Sequence, residues 1–158
     1  MNINIIAVGK IKENYIKQGI KEFEKRLSAH CKLQIIELAD EKTKENASQK
    51  EIDLVLDKEG SRIEPYLDGF YNIALDIKGK KMDSIKFADK LDNLMLDGIS
   101  DINFIIGGSL GISDGVLKKS DFRLSFSDMT FPHQLMRLIL LEQIYRAFRI
   151  INNFPYHK

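Results

Sequence analysis

The sequence has 158 residues, of which 44% are hydrophobic and 30% charged, and its formal net charge is +1. These values are typical of a globular protein of modest size, and we expect one domain over residues 1–158. They argue against a strongly basic protein that holds nucleic acid by bulk charge alone.

Charge is unevenly distributed along the chain. Residues 1–30 carry six Lys or Arg against three Glu, and residues 102–158 carry seven basic and four acidic groups. Residues 40–101 carry ten basic and fifteen acidic groups. If the two ends of the chain meet in the fold, they form a basic surface opposite an acidic one. Solvated helix faces explain the same pattern equally well.

Cysteine content and the amino terminus indicate the cellular compartment. The lone Cys31 excludes an internal disulfide and fits a reducing cytoplasm. The segment MNINIIAVG has the pattern of a strand and lacks the basic start of a signal peptide. The longest apolar stretches are far shorter than a membrane span. We therefore expect a cytoplasmic protein that does not engage a membrane.

Short apolar runs predict the strands of a parallel sheet. Runs such as IIAV and FII are apolar without alternation, which is typical of strands covered on both faces. With helical patterns between them, they predict an α/β fold with a mostly parallel sheet of five to six strands. The predicted strands are Asn2–Val8, Leu33–Leu38, Tyr71–Asp76, Asn103–Ile106 and Phe122–Phe126.

Apolar residues at three- and four-residue spacing predict four helices. The first three cover Tyr15–His30, Ser48–Tyr66 and Ser84–Leu96, and Gly98 is a stop signal after the third. The last begins at Pro132, a residue suited to a first helical position, and its apolar residues span about half of its circumference. This face is wide enough to pack on the sheet and on a partner as well. We expect a homodimer, the alternative being a central helix in a monomer.

A glycine-rich loop and a polar loop each follow a predicted strand. Gly107, Gly108 and Gly111 follow the fourth strand, and Ser127-Asp128 follows the fifth. Because ligands of α/β sheets bind beyond the carboxyl ends of the strands, these loops predict a small-molecule site. Glycine allows main chain to approach the ligand closely.

The common cofactor motifs are absent. No G-x-G-x-x-G follows a strand, and there is no P-loop, no G-x-S-x-G and no His or Cys spacing typical of a metal site. We therefore expect no metal. The residues alone leave a flavodoxin-like nucleotide-binding domain open.

Three segments carry a family resemblance. IIGGSLG, LSFSDMTFPHQLMRLILLEQIYRAFRI and the terminal PYHK resemble the SPOUT class of RNA methyltransferases. Within that class they resemble the family that methylates N3 of a pseudouridine in 23S ribosomal RNA. The amino-terminal AVGKIKENYIKQGIKEFEKRL also fits, so the resemblance covers the whole chain.

The resemblance implies a fold and a cofactor site. It implies a SPOUT-type α/β knot with a C-terminal trefoil knot, an obligate homodimer and S-adenosylmethionine bound by three loops. Asp128 departs from the family pattern, because a basic residue is more common there, and its carboxylate faces either the cofactor's sulfonium or solvent. The implied cofactor-binding residues are Leu75, Gly107, Phe126, Ser127, Asp128, Met129, Thr130 and Phe131. Without the resemblance, core packing is the favoured explanation for Phe126, Met129 and Phe131.

The acceptor chemistry suggests roles for the C-terminal tail. N3 of a pseudouridine carries a weakly acidic proton that must leave during methyl transfer. His157 is the best candidate for the base, while Tyr156 stacks or hydrogen-bonds and Lys158 offsets negative charge or binds phosphate. In a dimer the tail reaches the partner's cofactor. The alternative for these three residues is an exposed, disordered chain end.

The RNA-contact candidates are basic residues at the two ends of the chain. Because the net charge is low, we expect recognition of the assembled ribosome, of the 70S type, rather than of free RNA. The second functional hypothesis is a non-catalytic ribosome-associated protein that retains the fold. Asp128, which departs from the family pattern in the cofactor loops, is the residue compatible with this hypothesis. The candidates, for RNA phosphate contact or for ion pairs of the dimer, are Arg137, Arg146 and Arg149, with Lys10, Lys12, Lys17 and His133 as weaker candidates for the same surface.

Overall fold

Five parallel strands form one sheet in the order β2-β1-β4-β3-β5 in the computed structural model, which describes residues 1–158. The strands are β1 (Asn2–Val8), β2 (Lys32–Leu38), β3 (Tyr71–Lys81), β4 (Asp101–Ile106) and β5 (Phe122–Ser125). The helices are α1 (Asn14–Leu27), α2 (Gln49–Ile63), α3 (Ser84–Leu96), α4 (Asp114–Lys119) and α5 (His133–Ile151), with a 3-10 turn at Glu64–Tyr66.

The sequence predicted most of these elements, and the parallel α/β fold is confirmed. β1 and α3 have the predicted bounds, and Ser48 caps α2 by accepting a hydrogen bond from the Glu51 N–H. Several predicted bounds are wrong: β3 continues past Asp76 to Lys81, α1 ends before His30, and α2 ends at Ile63 rather than at Tyr66. β4 begins two residues before Asn103, β5 ends before Phe126, and Pro132 precedes α5 as its N-cap. The helix α4 was not predicted, because its six residues are too few to show a helical period.

The helices cover both faces of the sheet. The larger core contains 21 buried residues and joins one sheet face to α1, α3 and α5. A smaller core on the other face joins residues such as Ile6 and Ile105 to α2 and α4, through Ile63 and Val116. β1 is buried on both faces because alternate residues enter the two cores. This explains why its sequence is apolar without alternation.

α5 packs between α1 and α3, so the two ends of the chain do meet. Leu138 contacts Gly19 of α1, and the rings of Phe23 and Tyr145 meet edge to face with centroids 6.0 Å apart. Ser84 of α3 donates a hydrogen bond to Gln143. At 19 residues α5 is the longest helix. None of the helices has both the length and the apolar character needed to cross a membrane.

A row of asparagines connects the three central strands. Asn4, Asn103 and Asn72 are neighbours in register on β1, β4 and β3. Asn4 donates to Asn103 at 3.0 Å, and the fully buried Asn103 donates to Asn72 at 2.9 Å and to the Tyr66 carbonyl at 2.8 Å. A slip in the strand register would leave these buried groups unpaired, so the row fixes the alignment of the strands.

We expect Asn103→Ala to lower the free energy of unfolding by about 3 kcal/mol, because it leaves buried partners without a hydrogen bond. Denaturant unfolding followed by circular dichroism measures this loss. Asn46→Ala is the matched control, since Asn46 is exposed, and its cost should stay within about 0.5 kcal/mol. Equal stability of the two variants would contradict a structural role for the asparagine row.

Candidate functional site

An excursion in β3 and the segments that follow β4 and β5 enclose a cavity of about 160 Å³. It lies at the carboxyl edge of the sheet, where the sequence predicted a ligand site. The start of α5 closes one side. The lining residues are Leu75, Asp76, Ile77, Ile106, Gly107, Gly108, Gly111, Leu124, Ser125, Phe126, Ser127, Met129, Thr130, Phe131, His133 and Met136.

The first wall of the cavity is an excursion in β3. Leu75 and Lys80 both pair with Leu124 of β5, so residues 76–79 leave the ladder and protrude. Asp76 accepts a hydrogen bond from the Lys78 N–H at 3.2 Å, which stabilises the turn. A Cβ on Gly79 would lie 2.7 Å from the Arg123 backbone, so the excursion returns close against β5. Ile77, exposed by 48%, is thereby held at the cavity mouth.

The second wall is the glycine loop, residues 107–111. The Gly111 N–H donates to the Gly108 carbonyl at 3.1 Å, and Gly111 has φ +94°. A Cβ on Gly107 would overlap the Gly111 carbonyl group, so glycine is required here by the loop's own packing. A Cβ on Gly108 would lie 3.2 Å from the buried Glu59 carboxylate, whose pKa is raised by burial. The loop therefore folds tightly only without side chains at these positions.

The third wall is the segment after β5, residues 126–131. Ser127 Oγ accepts a hydrogen bond from the Met129 N–H at 3.0 Å, and Ser125 Oγ donates to the Ser127 carbonyl at 3.2 Å. These bonds bend the chain around the cavity. Met129 remains 74% exposed at the mouth, an unusual position for a large apolar side chain.

Asp128 is the one member of the predicted cofactor set that does not line the cavity. Its side chain is 81% exposed and forms an ion pair with Lys81 at 2.5 Å. The carboxylate is drawn outward because the end of β3 places that lysine beside it. Of the two orientations predicted for Asp128, the outward one is found.

The start of α5 contributes two residues that the sequence did not assign to the cavity. His133 and Met136 lie one helical turn apart and both line it. Burial lowers the pKa of His133, and the neighbouring Arg137 charge lowers it further, although Asp40 opposes this. The His133 ring is therefore mostly neutral at pH 7 and able to accept a proton or a hydrogen bond.

Arg137 is buried, which corrects its assignment as an RNA-contact candidate. Only 2% of its side chain is exposed, and it pairs with Glu37 at 2.5 Å and donates to the Gly9 carbonyl at 3.0 Å. These contacts tie α5 to the carboxyl ends of β1 and β2. Arg137 thus stabilises the fold beside the cavity and is not available to phosphate.

The C-terminal tail is held at the far end of α5. Tyr156 donates to Glu142 at 3.2 Å, and Arg146 donates to His157 Nδ1 at 3.2 Å. Burial and the Glu142 carboxylate raise the pKa of Tyr156. Arg146 also forms the predicted ion pair with Glu142, so it is partly neutralised, and Arg149 donates to the Pro155 carbonyl.

The tail and the cavity of this chain are far apart. Arg146 follows His133 by 13 residues along α5, which corresponds to about 20 Å. Tyr156 and His157 are attached at the Arg146 end, whereas the cavity is at the His133 end. Lys158 is exposed. The structure thus places seven of the eight predicted cofactor residues around one cavity, and it places the three predicted catalytic residues away from that cavity.

Part of the cavity had no sequence signal. The glycine pattern pointed to Gly108 and Gly111. His133 and Met136 lie in the first turn of the last helix, directly after the third segment of the cavity, and this position in the sequence was a usable signal. Asp76 and Ile77 had no such signal, because in the sequence the excursion of β3 has the same pattern as the end of a strand.

Comparison with known proteins places the whole chain in one family. Residues 1–157 match the family described as "Predicted SPOUT methyltransferase". Three relatives named ribosomal RNA large subunit methyltransferase H align over 100% of this chain and of their own length. They come from Finegoldia magna (60% identical), Clostridioides difficile (60%) and Clostridium kluyveri (58%).

Among solved structures, the SpoU methyltransferase AviRb from Streptomyces viridochromogenes, crystallised with AdoMet, aligns with 97% of this chain and 61% of its own. The TM-score is 0.46 and the identity 11%, which is too low to support any conclusion about the site.

Proposed function

The chain belongs to the SPOUT methyltransferase family, and from this membership we infer that it is an S-adenosylmethionine-dependent methyltransferase of 23S ribosomal RNA. The observation that carries the inference is the family match over residues 1–157, supported by the full-length relatives named for ribosomal RNA methylation. We propose further that the acceptor atom is N3 of a pseudouridine, methylated in the assembled ribosome in the cytoplasm.

The residues of the cavity suit S-adenosylmethionine. Leu75, Ile77 and Met129 supply an apolar slot for adenine, and the side-chain-free loop at Gly107 offers main-chain hydrogen-bonding groups. When bound, S-adenosylmethionine supplies an electrophilic methyl group. The proposed binding residues are Leu75, Gly107 and the segment Phe126, Ser127, Met129, Thr130 and Phe131, with Asp128 taking part through its main chain at most.

The three tail residues are proposed to act on the acceptor. His157 takes the N3 proton, Tyr156 orients the base, and Lys158 offsets negative charge on the flanking carbonyl oxygens or binds phosphate. The separation of about 20 Å along α5 supports a composite site, in which one subunit provides the cavity and its partner provides the tail. The contacts of Glu142 and Arg146 support an ordered rather than a disordered tail.

Exposed apolar side chains support the proposed homodimer. Tyr15 of α1, Ile85 of α3 and Met129 at the cavity mouth are exposed by 65%, 52% and 74%. Exposed apolar side chains of this size mark an interface when they are covered together, which the proposed homodimer would do. The trefoil knot is likewise a proposal, supported by the family and by the excursion of β3 and the segments after β4 and β5, which meet around one cavity.

The alternatives have lost their support. Asp128 was the residue that left room for a non-catalytic ribosome-associated protein, and its side chain points away from the cavity. A flavodoxin-like domain does not agree with the family match. No observation favours either hypothesis over methyl transfer.

The decisive test is methyl transfer from labelled S-adenosylmethionine to unmodified 70S ribosomes, with the label located by mass spectrometry of rRNA fragments. We expect a single methyl group on a large-subunit pseudouridine. Label on another nucleotide would overturn the proposed acceptor, and cofactor binding without transfer would favour the non-catalytic hypothesis.

A parallel assay with short naked RNA tests the proposed substrate state. Because the chain has a net charge of only +1, it lacks the charge for tight binding to free RNA. We therefore expect ribosomes to be methylated far faster than naked RNA. Equal rates would contradict recognition of the assembled particle.

A further inference from the structure

A second depression lies on the edge of the sheet between β3, β5 and α3. It is a groove of about 570 Å³, separate from the cavity described above. Three lysines line the groove: Lys80 from β3, and Lys86 and Lys90 from α3. Tyr71 and Phe122 provide aromatic surface within it. The groove thus combines cations and aromatic rings, the two side-chain types that bind single-stranded nucleic acid.

The three groove lysines have no acidic partners. Nearby basic residues are paired, since Lys81 binds Asp128 and Arg123 lies 3.9 Å from Asp76. Lys80, Lys86 and Lys90 form no ion pair, although Asp89 and Asp97 also line the groove. These lysines are therefore not held in ion pairs within the protein, and the groove has three lysines against two aspartates.

Lys90 is held in a position that is unfavourable for a cation without an anion nearby. Its Nζ lies 3.8 Å from the centroid of the Phe122 ring and 3.5 Å from the Tyr71 hydroxyl. Burial lowers the pKa of Lys90, and the charge of Lys80 lowers it further. The aromatic contact offsets part of this cost. An anion in the groove would offset the remainder, because it would stabilise both lysines at once.

The groove adjoins the cavity along β5. Lys80 pairs in register with Leu124, which lines the cavity, and Phe122 precedes Leu124 by two residues, or about 7 Å along the strand. A smaller depression connects the two, because it shares Leu124 with the cavity and Met82 with the groove. A chain that places one nucleotide at the cavity therefore passes directly into the groove.

We propose that this groove binds the phosphate backbone of the substrate RNA next to the nucleotide that is methylated, through Lys80, Lys86 and Lys90. The proposal rests on the proposed function. It gives the enzyme a local RNA-binding surface that is not evident from its net charge of +1. It also replaces Arg137, which is buried, as the source of phosphate contacts.

The test is a triple variant, Lys80→Gln/Lys86→Gln/Lys90→Met, in which methionine keeps the aliphatic contact with Phe122. We expect the KM for ribosomes to rise about tenfold or more at constant salt, with kcat and S-adenosylmethionine affinity unchanged. The log–log dependence of KM on salt should become shallower by about 2, since each phosphate contact on a single strand contributes about 0.7.

The matched control is Lys42→Gln/Lys44→Gln/Lys50→Gln, which removes the same charge from exposed lysines that follow β2, the strand at the other edge of the sheet. We expect its KM to match that of the parent. A second variant, Lys80→Arg/Lys86→Arg, keeps the charge and should also retain the parental KM. An unchanged KM in the groove variant, or an equal rise in the control, would overturn the proposal.

A crosslinking experiment identifies the molecule that occupies the groove. A photo-crosslinker attached at Lys86→Cys, in a Cys31→Ser background, should label ribosomal RNA near the modified nucleotide. Crosslinks confined to ribosomal protein would overturn RNA as the occupant. An inactive parent protein would instead contradict the proposed function, whereas an active parent with unaffected groove variants would contradict the groove alone.

Discussion

Gly107→Val is expected to abolish S-adenosylmethionine binding, raising the Kd at least about 100-fold, because the cavity cannot form around a side chain at this position. The new Cβ would overlap the Gly111 carbonyl group and lie 2.9 Å from the Ile112 side chain. The obstacle is backbone, which cannot rotate away, so the loop must open. Isothermal titration calorimetry measures the affinity, and thermal unfolding shows whether the variant remains folded.

Gly115→Val is the matched control for this substitution. Gly115 lies in α4, where a Cβ would meet only Glu64 Oε1 at an ordinary contact distance of 3.6 Å. We expect this variant to bind the cofactor like the parent. Normal affinity in Gly107→Val would mean that the cofactor site lies elsewhere, whereas loss in both variants would point to a general effect on folding.

His157→Ala is expected to lower turnover about 100-fold or more if the imidazole accepts the N3 proton, with cofactor affinity nearly unchanged. The side chain is exposed and bonded only to Arg146, so its removal should have little effect on stability. Single-turnover methylation of ribosomes measures the chemical step. An unchanged rate would remove His157 from the mechanism and direct attention to His133 at the cavity.

A mixed dimer tests whether the tail serves the partner's cavity. If a Gly107→Val subunit pairs with a His157→Ala subunit, one composite site combines an intact cavity with an intact tail. We expect this hybrid, isolated with two affinity tags, to recover about half of the parental turnover, whereas each variant alone is inactive. If each cavity used its own tail, both sites of the hybrid would be defective and no activity would return.

Local sequence patterns predicted most of the fold. The apolar runs of β1 and β4 and the spacing in α3 are encoded by neighbouring residues, so their type and position were readable. The location of the cavity was readable as well, since parallel strands bring the segments after their carboxyl ends to one edge. Seven of the eight residues predicted for the cofactor line a single cavity for this reason.

The features that the sequence missed depend on contacts between distant segments. The excursion of β3 exists because Lys80 pairs again with Leu124, and no local pattern marks that return. α4 is short, and it is held by the burial of Val116 against α2. Arg137 looked like a surface cation because its only charged partner is 100 residues away in the chain.

The sequence by itself determined the parallel α/β architecture, the glycine loop and the family, because each is carried by residues close together in the chain. Only the tertiary structure decided which charges are available and which groups share a site. It buried Arg137, turned Asp128 toward Lys81, and left the groove lysines unpaired. It also separated His157 from the cavity of this chain by about 20 Å along α5. Those outcomes depend on packing across the whole chain, which local patterns do not record.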